Sequence, residues 1–230
     1  MSKGSLICFT GIDGSGKSTL AEMLVGRMDA EGMEVRYVHN VYNSLLLRPI
    51  MELMKRTVFK GKTISENYWA FESTRNELFE KPLLSTLYKY AVLLDYIAQT
   101  VFSVKMPLIM GKNVVCDRYV YDVIVNLAVE LHLSREETKR LARWCFRVLS
   151  KPDVLFLLDV PEDVAYKRKD DVPSIEYLRE RKRVYMDVAE DGGIIRLDGT
   201  KSVDELGVLA WEKMCERLRG EVPCGKLAAP

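Results

Sequence analysis

Short apolar runs alternate along this chain with stretches whose apolar residues recur every three or four positions. The runs predict buried strands at 6–9, 34–38, 113–116, 154–159 and 194–197. The fourth is apolar almost throughout, as a strand covered on both faces requires. The periodic stretches predict helices at about 17–31, 65–80, 83–105, 120–131, 135–149, 174–189 and 203–219. Ser134 and Glu137 have capping-box spacing, and Pro161 suits the first turn of a helix. Residues 41–60 show no clear period. Five strands alternating with helices predict an α/β fold, a five-stranded parallel sheet with helices on both faces in three layers. No repeat or Pro/Gly-rich linker divides the chain, so one domain is expected over 1–219, with a loose tail at 220–230.

The first strand runs directly into Gly11-Ile12-Asp13-Gly14-Ser15-Gly16-Lys17-Ser18. This is the G-x-x-x-x-G-K-[ST] pattern, whose glycines let backbone N–H groups turn inward around a phosphate. The helix that follows adds free N–H groups and the positive end of its dipole. Lys17 is placed to reach the β- and γ-phosphates of ATP, and Ser18 to hold Mg²⁺ through its hydroxyl. With Thr19, these residues from Gly11 on form the expected ATP site. Strand, phosphate loop and helix follow in the order of the P-loop NTP-hydrolase fold.

Ligands in open parallel sheets sit at the carboxyl ends of the strands. Asp117-Arg118-Tyr119 closes the third strand at such an end. Asp117 there can hold Mg²⁺, and the forked donors of Arg118 can bridge two phosphates. Asp13 lies inside the loop, facing the metal shell or a substrate hydroxyl, or else capping the turn. Basic residues cluster around a short polar segment at 167–183, including Arg168, Arg179, Arg181 and Lys182. That arrangement predicts a lid whose arginine neutralises charge on the moving phosphoryl group, since the loop itself carries none. His39 follows a strand end and is a candidate to face the substrate. Leu93 and Ile97 lie on one helix face with Tyr90, either lining the acceptor pocket or packing in the core.

Composition narrows the partners. A net charge of +1 gives no reason to expect a nucleic acid. The apolar stretch 90–110 is broken by Asp95, Gln99, Lys105 and Pro107, so no membrane span is expected. The first strand begins at once, which leaves no room for a signal peptide. Five cysteines without metal-ligand spacing predict reduced thiols and a cytoplasmic protein.

Taken together, these motifs resemble the thymidylate kinase family over about residues 5–218. The resemblance rests on Phe9-Thr10 and the phosphate loop to Thr19, and on Asp117-Arg118-Tyr119. It also rests on Lys151-Pro152-Asp153 with Pro161-Glu162, on Tyr177-Leu178, on Tyr185 to Ala189, and on the Asp198-Gly199-Thr200-Lys201-Ser202 loop. It implies phosphoryl transfer from ATP to dTMP with Mg²⁺, and a homodimer built on helices. By the same resemblance, Lys17 and Arg118 hold the moving phosphoryl group and Asp117 the metal region. Asp13 sits near the acceptor sugar, and Arg168 or a neighbour is the lid arginine. The chain departs from the family where the acceptor binds. Val38-His39-Asn40-Val41 replaces an Arg-Glu-Pro-like segment, Leu93 and Ile97 replace a phenylalanine and an arginine, and Asp122 replaces a serine.

Two further readings stay open. One is a kinase acting on a nucleoside or other small hydroxyl acceptor, with Asp122 as base. The other is a nucleotide-binding protein without turnover. Arg48 and Arg75 are candidates to replace the missing arginines.

Overall fold

The computed structural model describes residues 3–44, 81–189 and 193–218. Five strands appear in it: β1 Leu6–Thr10, β2 Val35–His39, β3 Asn113–Asp117, β4 Val154–Asp159 and β5 Ile194–Asp198. They form one parallel sheet in the order β2-β3-β1-β4-β5. β1 is central, and its register pairs Cys8 with both Cys116 and Leu155. Among the described residues the main helices are α1 Lys17–Ala30, α2 Pro82–Thr100, α3 Val120–Glu130, α4 Arg135–Cys145, α5 Glu162–Lys167, α6 Ile175–Ala189 and, after the last strand, α7 Val203–Arg217.

Strand periodicity explains the layers. Successive side chains of a strand point to opposite faces. Leu6 and Cys8 therefore enter one core with Val92, Leu93, Ile124 and Leu141. Ile7 and Phe9 enter the other with Leu20, Leu24 and Trp211. Phe9 stacks on Phe156 across β1 and β4 with ring centroids 5.0 Å apart. A third cluster, with Ile12, Leu157, Val172, Leu178 and Tyr185, roots the lid segment on the sheet.

Several expectations need correcting. The helix expected at 83–105 does not end there. α2 passes into a π-helical turn over Val101–Lys105 and a last turn, Met106–Ile109. Pro107 gives the reason: it lacks an N–H, and its ring crowds the carbonyl four residues back, so the preceding turn widens. The helix expected to 149 ends at Cys145. Pro161 is the N-cap of α5 rather than part of its first turn. By length and composition alone Pro82–Ile109 is long and apolar enough to cross a bilayer, and half of its apolar window is buried inside the protein. Cys8, Cys116 and Cys145 are free, but Cys215 is disulfide-bonded, against the expectation of reduced thiols throughout. The helix expected at 65–80, Arg48, Arg75 and the tail lie outside the described residues. The Ser134–Glu137 box forms as expected, with Glu137 N–H donating to Ser134 Oγ at 3.3 Å.

Candidate active site

β1 delivers the phosphate loop at its carboxyl end. Gly14 has φ +78°, and a Cβ there would run into the Ala165 carbonyl. Gly16 caps α1 with φ +93°. Both conformations are costly for other residues, so the loop can curl only with glycine. Lys17 is 4% exposed and folds over its own loop, donating from Nζ to the Ile12 carbonyl at 2.7 Å and to Ser15 Oγ at 3.3 Å. Burial, and then the neighbouring Arg118, lower its pKa to about 8. A phosphate entering the loop would replace these short contacts with charge-assisted ones.

Beyond the loop lies an open cavity of about 290 Å³. Asp13, Gly14 and Gly16 through Thr19 form one wall, while Arg118, Arg168 and Lys169 form the other. Arg168 donates from Nη1 to the Gly199 carbonyl at 3.1 Å, which ties the lid to the loop after β5. The other lid cations lie elsewhere. Lys182 pairs with Asp159 at 3.1 Å, and Arg179 pairs with Glu176 on the surface.

β3 ends in Asp117, which is fully buried. Its Oδ2 accepts from Ser18 Oγ at 2.6 Å and Tyr37 Oη at 3.3 Å, and it meets His39 Nδ1 at 2.8 Å. Among the described residues its Oδ1 is buried without a partner. That lone oxygen, next to the Ser18 hydroxyl, is a hard-oxygen pair of the kind Mg²⁺ takes. The fit is therefore good.

Arg118 follows in a left-handed conformation, φ +68°, an unusual one for a side chain that is not glycine. The turn sends its guanidinium between two carboxylates, Asp13 on the loop and Asp122 on α3 at 3.5 Å. Burial would lower its pKa, but the two acids together raise it, so it stays charged. Burial alone would push the Asp13 carboxyl up, and Arg118 with Lys17 hold it below the usual range instead. Asp122 is 4% exposed. Thr10 Oγ1 and the Tyr119 N–H donate to its Oδ2 at 2.9 and 3.0 Å, and Tyr185 Oη donates to its Oδ1 at 2.8 Å. Burial raises its pKa, and Arg118 opposes the shift without cancelling it.

A second cavity, of about 140 Å³, opens on the other side of Arg118. Its walls come from Asn40 to Tyr42 after β2, from Tyr88 and Val92 on α2, and from α3. Asp122, Val123, Asn126, Leu127 and Glu130 form the α3 wall. Five residues expected at the acceptor, Asp13, His39, Leu93, Ile97 and Tyr119, are not part of it, and Asp13 lines the first cavity instead. Leu93 and Ile97 are buried in the core, because the helix turns Tyr88 and Val92 toward the opening instead. Tyr119 is 1% exposed and donates to the Ser150 carbonyl at 2.9 Å. His39 is spent on Asp117. Tyr42, Tyr88, Asn126 and Glu130 are additions that sequence reasoning missed. One signal was available: Asp122, Asn126 and Glu130 recur every four residues in an otherwise apolar helix.

Relatives bear on this arrangement. The sequence model described as thymidylate kinase matches residues 9–207. A probable thymidylate kinase of Methanocaldococcus jannaschii is 29% identical over 205 residues, covering 87% of this chain and 90% of its own. The thymidylate kinase of Plasmodium falciparum is 26% identical, covering 89% and 86%. That of Fervidobacterium nodosum is 27% identical, covering 87% and 93%. With its phosphate loop at one side of Arg118 and a second cleft at the other, this chain belongs to the thymidylate kinase family.

Proposed function

We propose that this protein phosphorylates dTMP, ATP + dTMP giving ADP + dTDP. The observation that carries the reading is Arg118, which lines both cavities. A guanidinium at that junction can touch the phosphoryl group and the acceptor phosphate at once. An oxygen of the dTMP phosphate attacks the γ-phosphorus, the bond to the β–γ bridging oxygen breaks, and ADP leaves. The acceptor oxygen is already ionised, so no general base is needed. Positioning and charge neutralisation suffice.

Lys17 and the loop N–H groups hold the donor phosphates. Arg168 and Lys169 bring positive charge from the lid, and Asp13 keeps Arg118 oriented. Ser18 and Asp117 would hold Mg²⁺. When bound, the ion neutralises charge on the β- and γ-phosphates.

The hydroxyl-kinase reading is the weaker one. Asp122 carries the hydrogen bonds of three donors and an ion pair, so it is poorly placed to take a proton from an acceptor. The protein acts on a small nucleotide, not on nucleic acid or a membrane. It works as a homodimer. An exposed apolar stripe on α2 and its extension supports this, with Leu83 70%, Leu87 59%, Leu94 57%, Phe102 75% and Ile109 59% exposed. A second copy of the same helix is the occupant that fits such a face.

The test is a panel of nucleoside monophosphates, nucleosides and small alcohols incubated with ATP and Mg²⁺. ADP and dTDP should appear with dTMP, and Lys17→Ala should lower the rate of both by about a thousandfold. Turnover of alcohols but of no monophosphate would overturn the proposal.

A further inference from the structure

Another cavity, of about 280 Å³, opens at the opposite end of the sheet from the phosphate loop. The loop leaves the carboxyl end of β1, whereas this cavity is lined by Leu155 and Ile194, at the starts of β4 and β5. Residues of α3, α4 and the end of α6 complete its walls. It shares no residue with either of the two cavities that meet at Arg118.

Its lining divides into two kinds of surface. Tyr121, Phe146, Pro152, Leu155, Val188 and Ile194 supply the apolar part. The Tyr121 and Phe146 rings lie 5.6 Å apart between centroids and are tilted by 57°. Lys139, Arg143 and Lys151 supply all of the charge, and among the described residues no carboxylate lines the cavity. Leu155 and Val188 are buried while Arg143 and Lys151 are exposed. The apolar part is therefore the deep one, and the cations stand toward the mouth. Lys139 and Arg143 are four residues apart on α4, so they share one face of that helix. Lys151 reaches the same opening from the segment before β4.

We propose that this cavity binds a phosphate monoester carried on a flat ring, at a site separate from the phosphoryl-transfer centre. The fork of Arg143 takes two phosphate oxygens, and Lys139 and Lys151 neutralise the remaining charge. The ring enters the apolar part against Tyr121 and Phe146, whose tilted planes suit edge and offset contacts. Sites for drug-sized ligands run from about 300 Å³ upward, so the space suits one ring system with one phosphate and not a larger chain. A metal cation finds no oxygen anions here. An acidic peptide would meet the cations but leave the apolar part unfilled.

The test is a titration of methyl-labelled protein with naphthyl phosphate, followed by NMR at the methyl groups of Leu155, Val188 and Ile194. Their signals should move together and saturate, with a dissociation constant below about 1 mM. A parallel titration with dTMP separates the two sources of this chemistry. Saturation by both ligands supports a nucleotide occupant, and saturation by naphthyl phosphate alone supports a simpler aryl phosphate. Lys17→Ala should leave the response unchanged, because Lys17 belongs to the other end of the sheet. Arg143→Glu with Lys151→Glu should weaken binding at least about tenfold. Should that pair fail to fold, Arg143→Gln with Lys151→Gln must weaken it as well. Signals that stay unmoved at about 10 mM naphthyl phosphate overturn the proposal, as does an affinity unchanged in the charge variants. Inorganic phosphate binding as tightly as the naphthyl ester also overturns it, because the apolar part would then contribute nothing. None of these results bears on the kinase reading, which rests on other residues.

Discussion

The two cavities that meet at Arg118 are built from different materials. The donor side comes mainly from one continuous piece of chain, β1, the loop from Gly11 to Ser18 and the start of α1. Much of its binding capacity is backbone N–H, which most side-chain changes leave alone. The acceptor side is assembled from side chains of three separate pieces, Asn40 to Tyr42, Tyr88 and Val92 on α2, and Asp122, Asn126 and Glu130 on α3. Every substitution there alters what the cleft can bind. A donor site made of backbone stays constant, while an acceptor site made of side chains is free to diverge. This chain shows that split, because its departures from the family pattern fall on the acceptor side.

Variants can break or sharpen the contrast. Lys17→Ala should lower kcat/KM by about a thousandfold for every acceptor alike, since it touches only the shared donor end. A loss confined to one acceptor in steady-state assays would show that the two sides are not separable. Asp122→Ala removes the carboxylate on which Thr10, Tyr119, Tyr185 and Arg118 converge. It should cost about 3 kcal/mol of stability, read from urea unfolding, because it strands a buried charge and three donors. A loss below about 1 kcal/mol would mean that water takes over these partners. The double change Leu87→Glu with Leu94→Glu puts like charges on the exposed stripe of α2. If the proposed homodimer forms, sedimentation should show the parent as a dimer and this variant as a monomer with the fold unchanged. Tyr185→Phe deletes one hydrogen bond between the lid helix and Asp122, and should lower stability by only about 1 kcal/mol. A larger effect would make the lid helix, rather than Arg118, the main support of that carboxylate.

Much of the fold was legible because its signals are local. The continuous apolar run at 154–159 and the loop glycines each report their own neighbourhood. The Ser134–Glu137 box was equally plain, and a second one, Ser202–Glu205, closes the start of α7 in the same way. Misreadings came where a local pattern had two outcomes. Leu93 and Ile97 share a helix face with either the cleft or the core, and only packing against β3 and α3 assigns them to the core. The wide turn before Pro107 was not foreseen, because the proline's effect falls on residues ahead of it.

By itself the sequence determined a phosphate loop between a strand and a helix, five strands separated by helices, and an acid–arginine pair at a strand end. These follow from side-chain period and from backbone geometry that glycine alone permits. Only the tertiary structure decided that β3 lies between β2 and β1, which brings Asp117 to Ser18 and Arg118 between Asp13 and Asp122. It alone paired Arg181 with Asn126, 55 positions apart. Contacts at such separations depend on which elements pack together, and no periodicity within a single element encodes that choice.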